Sequence, residues 1–415
     1  MKSLSLPPSN NNSFQNVILL LVCSVPISIC VLNPLAEITL TVALLLSIVF
    51  LALNWQVTTY NLQPATKTII ILFALYFGIG ALTYFTHGNT EFTLHRIGTT
   101  LHFVLIIPII IALGSHAFSK NWLHYPIIAG SLLCGGFAIY QVSMFDVRAG
   151  ASINEMIFGG ISILLGFMSL ASWRHFSKIS YGYIWPILGF LSGITACILS
   201  LTRGSWIAAP ALTICVIIYM YYNTINKRRL LLVLSAGLIL AALIIYWWLW
   251  PYLQPRISAT IVNFNQYFTN GVFGNSTGFR LEMWKGALLV IQDNPIFGIG
   301  IGGKTQVFAN LIADGKIQDI GRVTYVHNQL LQDGIYKGLL GIASYLALMG
   351  YLICHFIIGI KRKLLNSDAH LIGLILVVGY LMLGLTSHTF NNGIYNSFFV
   401  AMLALIFYFT ENQEK

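Results

Sequence analysis

The feature that most constrains this chain is a series of long apolar runs with almost no charged residues. A bilayer core is about 30 Å thick and requires about 20 apolar residues per helix. Of the 415 residues, 57% are hydrophobic and 8% are charged, which is far from the usage of soluble domains. We therefore predict an all-α polytopic membrane protein with about twelve transmembrane helices. The spans are predicted near residues 14–32, 34–53, 68–86, 98–115, 122–144, 155–173, 181–201, 205–223, 229–250, 338–360, 369–388 and 393–410.

The basic residues indicate the orientation of these spans. The net charge is +10, but the lysines and arginines punctuate the apolar runs, which argues against a nucleic-acid surface. If the spans alternate, and the longest connection is left out, one side carries twelve Lys or Arg and the other three. The richer side, with both termini, is predicted to be cytoplasmic. The twelve are Lys2, Lys67, Lys120, Arg174, Lys178, Lys227, Arg228, Arg229, Lys361, Arg362, Lys363 and Lys415; the three are Arg96, Arg148 and Arg203.

The predicted organisation has three parts. Residues 1–250 hold transmembrane helices 1–9, residues 251–337 form one large periplasmic loop, and residues 338–415 hold helices 10–12 with a short cytoplasmic tail. The other connections are too short for a catalytic domain, so chemistry is expected at the outer face. The six cysteines all lie in predicted spans without a C-x-x-C pair, which favours core packing over a disulfide framework or a metal site.

Within the large loop, the sequence predicts an interfacial helix from Phe279 to Ile291. Ser276, Thr277 or Gly278 can cap its start, and Asn294-Pro295 marks its end. Its predicted apolar stripe consists of Trp284, Ala287, Leu288 and Ile291, with Glu282 and Lys285 elsewhere.

Arg280 falls in the first turn of this helix. A cation there opposes the helix dipole, so an anionic ligand is one explanation and a contact with lipid headgroups is the other.

A phosphate-loop pattern, G-x-x-x-x-G-K-[ST], is also present in this loop. Gly298 to Thr305 satisfy it to the letter. The pattern requires a preceding buried strand inside an α/β domain, whereas Asn294-Pro295 immediately precedes it here. The predicted location outside the cytoplasm also lacks nucleoside triphosphates. We therefore interpret the stretch as a glycine-rich turn and not as a nucleotide site.

Three polar residues are the main candidates for chemistry. Arg203 lies at the tight junction of the seventh and eighth spans, where burial near lipid calls for an anionic partner unless it anchors headgroups. Arg203 and Arg280 together could clamp a diphosphate, because guanidinium groups pair with phosphate oxygens bidentately. His327 precedes the tenth span, and its imidazole suits a general base near neutral pH, although an interface hydrogen-bonding role is the alternative.

The surroundings of these residues resemble the bacterial O-antigen ligase family, whose relatives include O-antigen polymerases and O-linked oligosaccharyltransferases. His327-Asn328, followed after nine residues by Gly338 and then Gly341, fits the pattern H-[N/S/Q]-x9-G-x-x-[G/T/Y]. The resemblance covers the second half of the chain and extends to the first half only in hydropathy and spacing. Its other parts are Thr202-Arg203-Gly204, Gly278-Phe279-Arg280 ahead of Trp284, and Asn294-Pro295-Ile296-Phe297-Gly298-Ile299-Gly300.

This resemblance implies a GT-C-like glycosyltransferase of the bacterial inner membrane, independent of metals and cofactors. It would move a glycan from undecaprenyl diphosphate to a sugar hydroxyl of lipid A-core at the periplasmic face. Arg203 and Arg280 would then bind the diphosphate and His327 would act as base. Further candidate substrate contacts are Arg148, unless it pairs with Asp146, together with Asn328, Arg322 and His388. Gly338 and Gly341 are expected to permit close helix packing.

Two kinds of alternative remain open at this point. An O-antigen polymerase or a protein O-oligosaccharyltransferase would share these motifs, although the chain ends five residues after its last predicted span, which favours the ligase. A lipid-linked glycan transporter should instead show inverted repeats, interrupted helices or ionisable residues near mid-membrane. Glu37, Glu155 and the arginines are predicted near span ends, which argues against transport.

Overall fold

The structure, a computed structural model, describes residues 11–59, 62–87, 91–114, 118–223, 250–271, 273–364 and 367–411. All regular elements in these ranges are helical, and no strand occurs among them. The helices are α1 (Asn11–Ser28), α2 (Asn33–Thr59), α3 (Pro64–His87), α4 (Glu91–Leu113), α5 (Asn121–Phe145), α6 (Glu155–Ala171), α7 (Trp173–Phe176), α8 (Ile184–Leu199), α9 (Arg203–Trp206), α10 (Ala208–Asn223), α11 (Trp250–Asn270), α12 (Ser276–Asp293), α13 (Lys304–Ala313), α14 (Gln329–Lys361), α15 (Ser367–Gly384) and α16 (Gly393–Glu411), with a 3-10 turn at Thr389–Asn391.

The membrane character of the fold is confirmed. Among the described residues, seven helical stretches are long and apolar enough to cross a membrane, and four shorter apolar helices accompany them. These eleven lie at eleven of the twelve predicted spans. The ninth prediction, 229–250, lies outside the described residues except for Trp250, so the count of twelve and the GT-C-like fold stay predictions.

The connections predicted to be cytoplasmic gather at one end of the helix bundle. His175 bonds Asn121 at 3.0 Å, and Arg174 donates to Ser367 at 3.1 Å. At the other end of α5, the amide of Ala149 donates to the carbonyl of Leu199 at 3.1 Å. These contacts place the described connections that they join at opposite ends of the bundle. Several of the predicted cytoplasmic cations, namely Lys2, Lys227, Arg228, Arg229 and Lys415, lie outside the described residues.

The segment between α10 and the membrane part of α14 has its own apolar core. The buried residues of this second cluster come from α12, α13, the first turns of α14 and the loops between them, and are Ala287, Val290, Ile299, Ile301, Phe308, Leu311, Ile317, Val323, Val326, Ile335 and Tyr336. Tyr336 and Ile335 are fully buried. Because α14 contributes to this core and then continues into the bundle, this segment is anchored to the membrane part.

Helix α12 buries a carboxylate that lies outside its predicted apolar stripe. Glu282 is 3% exposed, whereas Leu288 of the stripe is 58% exposed in the protein alone. The Glu282 carboxylate accepts hydrogen bonds from the Tyr267 hydroxyl (2.5 Å) and the Gln318 amide (2.9 Å). A buried carboxylate is tolerated when it is hydrogen-bonded in this way. Glu282 therefore ties α12 to α11 and to the loop after α13.

The predicted start of α12 also needs a correction. Asn275 is the N-cap, and its side-chain oxygen accepts from the amides of Thr277 and Gly278 at 3.1 and 2.9 Å. Asparagine is among the best capping residues because it satisfies amides that have no partner inside the helix.

Helix α14 is broken at Gly338, whose φ and ψ are 62° and −157°. The break leaves the Ile335 carbonyl and the Leu339 amide without partners inside the helix. The Ile299 amide donates to the Ile335 carbonyl at 2.8 Å, and the Leu339 amide donates to the Pro295 carbonyl at 2.7 Å. A Cβ on Gly338 would lie 2.3 Å from the Ile296 carbonyl oxygen. The Asn294–Gly300 turn and the glycine break therefore interlock, and the expected role of Gly338 in close packing matches this geometry.

Candidate functional site

Three of the predicted arginines line one cavity. It has a volume of about 470 Å³ and lies between α9, the outer end of α6, α11 and α12. Arg148, Arg203 and Arg280 all contribute to its wall, and no acidic side chain is among the lining residues that the structure describes. Three guanidinium groups without an acidic wall residue make this cavity suited to an anion.

Two of these arginines are held by neighbouring polar groups. Arg203 donates to the hydroxyl of Thr260 on α11. Arg148 directs Nε and Nη2 to the Ser200 carbonyl at 3.1 and 3.0 Å. The predicted alternative, a pair between Arg148 and Asp146, is therefore wrong. Both side chains are held at the cavity wall by these hydrogen bonds to neutral groups.

The backbone that presents Arg203 is unusually tight. Leu201 adopts a positive φ of 53°, and the Thr202 hydroxyl bonds the hydroxyls of Ser200 (2.7 Å) and Ser205 (3.0 Å). A Cβ on Gly204 would lie 2.6 Å from the Thr386 hydroxyl, so only glycine fits there. These contacts explain locally why a Thr-Arg-Gly sequence occurs at this junction.

Arg280 is the arginine with the strongest need for a ligand. It forms no hydrogen bond or ion pair with any residue that the structure describes. Burial and the nearby charge of Arg203 lower its pKa from the ordinary value. Desolvation and like-charge repulsion both disfavour the charged form. Binding of an anion between Arg203 and Arg280 would relieve both effects.

His327 does not line the arginine cavity; it lines a second pocket at a neighbouring face of α12. This second pocket, of about 280 Å³, also includes Phe279 and Met283 of α12, whereas Arg280 and Trp284 face the arginine cavity. The two sides are connected, because the Trp284 indole N–H donates to the Val326 carbonyl at 2.8 Å, next to His327.

The conformation and charge state of His327 are unusual for a surface histidine. Its φ is 51°, a left-handed conformation that few non-glycine residues adopt and that concentrates at functional sites. Its Nδ1 atom is buried with no hydrogen-bond partner among the described residues. Burial, then the charges of Arg280 and Lys304, lower the pKa of His327 to about 4. The imidazole is therefore neutral, and able to accept a proton, at any pH near 7.

The lysine of the apparent phosphate loop is a structural residue. Lys304 is 2% exposed, donates to the Thr324 carbonyl and lies 5.2 Å from the centre of the Tyr325 ring. The Tyr325 ring stacks on His388 with centroids 3.6 Å apart, and His388 meets the edge of His327 at 5.8 Å. A buried lysine engaged in this way is not presented to a nucleotide, which agrees with the interpretation of the motif as a turn.

The other predicted substrate contacts differ in accessibility. His388 is 6% exposed and packs beside His327, so it supports the histidine instead of lining a pocket. Asn328 caps α14, since its oxygen accepts from the Leu331 amide at 3.1 Å and its Nδ2 donates to the Leu385 carbonyl at 3.3 Å. Arg322 is exposed and lines the His327 pocket. Of these three, Arg322 alone is placed to meet a substrate.

Sequence reasoning missed a buried charged network in α14. Asp333 and Lys337 form an ion pair at 3.0 Å with side chains 0% and 1% exposed. Tyr76 of α3 donates its hydroxyl to the Asp333 carboxylate at 3.0 Å, and Gln329 donates to it at 2.7 Å. The signal in the sequence was an aspartate and a lysine four residues apart beside an apolar run. The network joins α3 to the short helical segment that follows His327.

The fold and this site define a class: a polytopic helical membrane protein with a cationic cavity and a neutral histidine at the same end of its bundle. The sequence profile of the family described as O-antigen ligase matches residues 188–346, which include Arg203, Arg280 and His327. This match confirms the resemblance to the O-antigen ligase family that the motifs predicted. A protein of Haemophilus influenzae described as uncharacterized is 24% identical over 405 residues, covering 89% of this chain and 98% of that relative.

Proposed function

We propose that this protein is an O-antigen ligase, which transfers a glycan from undecaprenyl diphosphate to lipid A-core at the periplasmic face of the bacterial inner membrane. The observation that carries the proposal is the pairing of a three-arginine cavity with a neutral histidine across the start of α12. The match to the O-antigen ligase family supports the chemistry of a glycosyltransferase-like ligase.

The arginine cavity is the proposed donor site. Arg203 and Arg280 bind the diphosphate, with Arg148 as a third contact, and stabilise the charge that develops on the leaving group. Ile207 and Phe264, 44% and 47% exposed, add apolar surface to the same cavity. An anionic diphosphate attached to an apolar chain matches a wall with these two kinds of surface. Loss of one preorganised hydrogen-bond donor, such as an arginine side chain in this cavity, commonly lowers the rate about 10²–10³-fold.

His327 is the proposed general base. It takes the proton from an acceptor hydroxyl while that oxygen attacks the anomeric carbon of the donor glycan. The bond between the anomeric carbon and the phosphate oxygen breaks, and its electron pair leaves with undecaprenyl diphosphate. Attack from the side opposite the leaving group inverts the anomeric configuration. General base catalysis typically contributes about 10²–10⁴-fold.

Donor binding would also strengthen this base. In the free protein, burial lowers the pKa of His327 most, and the charge of Arg280 lowers it further. A diphosphate on Arg280 offsets that charge, so the pKa of His327 rises toward the range in which a base is most effective near pH 7. His327 thus stays unprotonated before the lipid-linked glycan binds, and its uptake of a proton becomes more favourable once that glycan is bound.

The alternative functions differ from the ligase either in the acceptor that they use or in the role of α14. A polymerase or a protein transferase would use the same cavity and histidine with another acceptor. The break at Gly338 and the buried Asp333–Lys337 pair are features that a transporter would also show. The pair is closed, however, with side chains 0% and 1% exposed and none of its atoms lining the two pockets beside α12. This observation favours a structural role over a transport path.

The test is complementation of a gene deletion in the host, with lipopolysaccharide resolved on a gel. Wild type and His327→Ala are expressed at equal levels, and Lys285→Gln, an exposed change on α12 outside both pockets, is the matched control. We expect full-length ladders with wild type and the control. His327→Ala should leave lipid A-core without repeats.

Other outcomes point to other functions. Core that carries a single repeat in the deletion strain would identify a polymerase. Loss of glycosylated protein with normal lipopolysaccharide would identify a protein transferase. Normal ladders with His327→Ala would overturn the assignment of the base.

A further inference from the structure

The pocket that contains His327 is chemically distinct from the arginine cavity. Its eight lining residues, all in the described part of the chain, are Phe279, Met283, Ile320, Arg322, Val323, Thr324, Tyr325 and His327. Apart from His327, Arg322 is the one basic residue among these eight, and none is acidic. The pocket therefore combines a base, a permanent cation, hydroxyl groups and an apolar floor.

The position of the base decides which substrate enters this pocket. A general base must lie within hydrogen-bond distance of the hydroxyl from which it takes a proton. Since His327 lines this pocket and not the arginine cavity, the acceptor sugar must enter here. The donor diphosphate is drawn by three guanidinium groups to the neighbouring face of α12. The two pockets thus receive different substrates at adjacent faces of one helix.

The side chain of Arg322 adds a chemical requirement to the acceptor. Arg322 is exposed on the segment that leads to His327, five residues before it, and shares the pocket with the base. A guanidinium binds phosphate or carboxylate through two parallel hydrogen bonds and stays charged throughout the accessible pH range. The Thr324 side chain in the same pocket has a hydroxyl group of the kind that hydrogen-bonds to a sugar.

We propose that the His327 pocket is an acceptor subsite and that Arg322 selects acceptors carrying an anionic group, a sugar phosphate or carboxylate, near the hydroxyl that reacts. The inference rests on the proposed ligase function and specifies its acceptor. Arg322 acts in binding and does not take part in the bond changes.

The experiment measures transfer by the purified full-length protein in vesicles that contain undecaprenyl-diphosphate-linked glycan. Three acceptors are compared: intact lipid A-core, the same material treated with phosphatase, and the same material with its carboxylates amidated. The variants are Arg322→Gln and Arg322→Lys, and Lys285→Gln is the control that removes one exposed positive charge from α12.

With intact acceptor, Arg322→Gln should raise the acceptor KM about tenfold with little change in kcat, the size expected for loss of a charged bidentate contact. Arg322→Lys should retain part of the affinity. Wild type and Arg322→Gln should have equal KM values for the acceptor that has lost the selected anionic group. If the values become equal on the phosphatase-treated acceptor, the selected group is a phosphate. If they become equal on the amidated acceptor, it is a carboxylate. Lys285→Gln should behave as wild type on all three.

The selection of an anionic group would be overturned, with the ligase function left intact, if Arg322→Gln raised the KM equally for all three acceptors. The same conclusion would follow if Lys285→Gln raised the KM as much as Arg322→Gln. Failure of the wild type to use any lipid A-core acceptor would overturn the ligase function and this inference together. His327→Ala, run in parallel, should abolish transfer to every acceptor by lowering kcat, which separates the base from the binding residue.

Discussion

The buried Asp333–Lys337 pair allows a quantitative prediction. The two charges are 3.0 Å apart with side chains 0% and 1% exposed. At an effective dielectric constant of 20 their attraction is about 5.5 kcal/mol, which is offset by the cost of removing both ions from water. Removal of one partner leaves the other charge buried, and such changes typically cost about 3–5 kcal/mol. The pair is therefore expected to matter most when it is broken on one side.

Lys337→Met should destabilise the protein by about 3 kcal/mol, at the lower end of this range, because Asp333 keeps its bonds from Tyr76 and Gln329. Asp333→Asn should cost about 4 kcal/mol, because Lys337 retains only the face of the Tyr76 ring, 3.6 Å from its Nζ. The double variant should cost well below the sum, with a coupling of about 2–3 kcal/mol.

The assay is equilibrium unfolding in mixed detergent and sodium dodecyl sulfate micelles, followed by circular dichroism. Lys316→Met is the matched control, because Lys316 and Asp314 form an ion pair at 3.6 Å whose side chains are 54% and 57% exposed. No measurable change is expected there. Strictly additive losses in the double variant, or a loss with Lys337→Met no larger than with Lys316→Met, would refute the reasoning.

Three further predictions concern the outer segment. Because the pKa of His327 is about 4, kcat/KM should stay level from pH 8 to pH 5 and fall only below pH 5. Lys304→Met removes a charge that lowers this pKa, so the fall in kcat/KM should begin at a higher pH. An unchanged pH profile in this variant would contradict the role of Lys304. Gly338→Ala should destabilise the protein by at least about 2 kcal/mol in unfolding experiments, whereas Gly350→Ala in the same helix, with open space at its Cβ, should not. Glu282→Gln should weaken the bonds that fix α12 and speed limited proteolysis of residues 251–328, and unchanged cleavage would show that these bonds are dispensable.

Much of the architecture was predictable because lipid imposes simple rules on sequence. An uncharged run of about 20 residues has few alternatives to a membrane helix, so eleven predicted spans coincide with apolar helices. Arg203 and Arg280 were identifiable because a cation at a helix start or beside lipid needs an anion nearby. Whether the two side chains line the same cavity depends on how α9 and α12 pack, and the local sequence does not specify that packing.

The residues that escaped prediction depend on partners far away in the chain. Glu282 resembled a solvent-facing residue until Tyr267 and Gln318 were seen to surround it. The role of Asp333 depends on Tyr76, which is 257 residues distant. Periodicity records which positions along one helix share a face, but it does not record what that face meets.

The interlock between the Asn294–Gly300 turn and the break at Gly338 also bears on how such chains diverge. Each segment supplies the backbone partner that the other lacks, through the Ile299–Ile335 and Leu339–Pro295 hydrogen bonds. Loss of the turn would leave the Ile335 carbonyl and the Leu339 amide without these hydrogen-bond partners. An unbroken helix would pair those two groups with each other and leave the Ile299 amide and the Pro295 carbonyl of the turn without theirs. Relatives should therefore inherit or lose the two segments together, although about forty residues separate them in the chain.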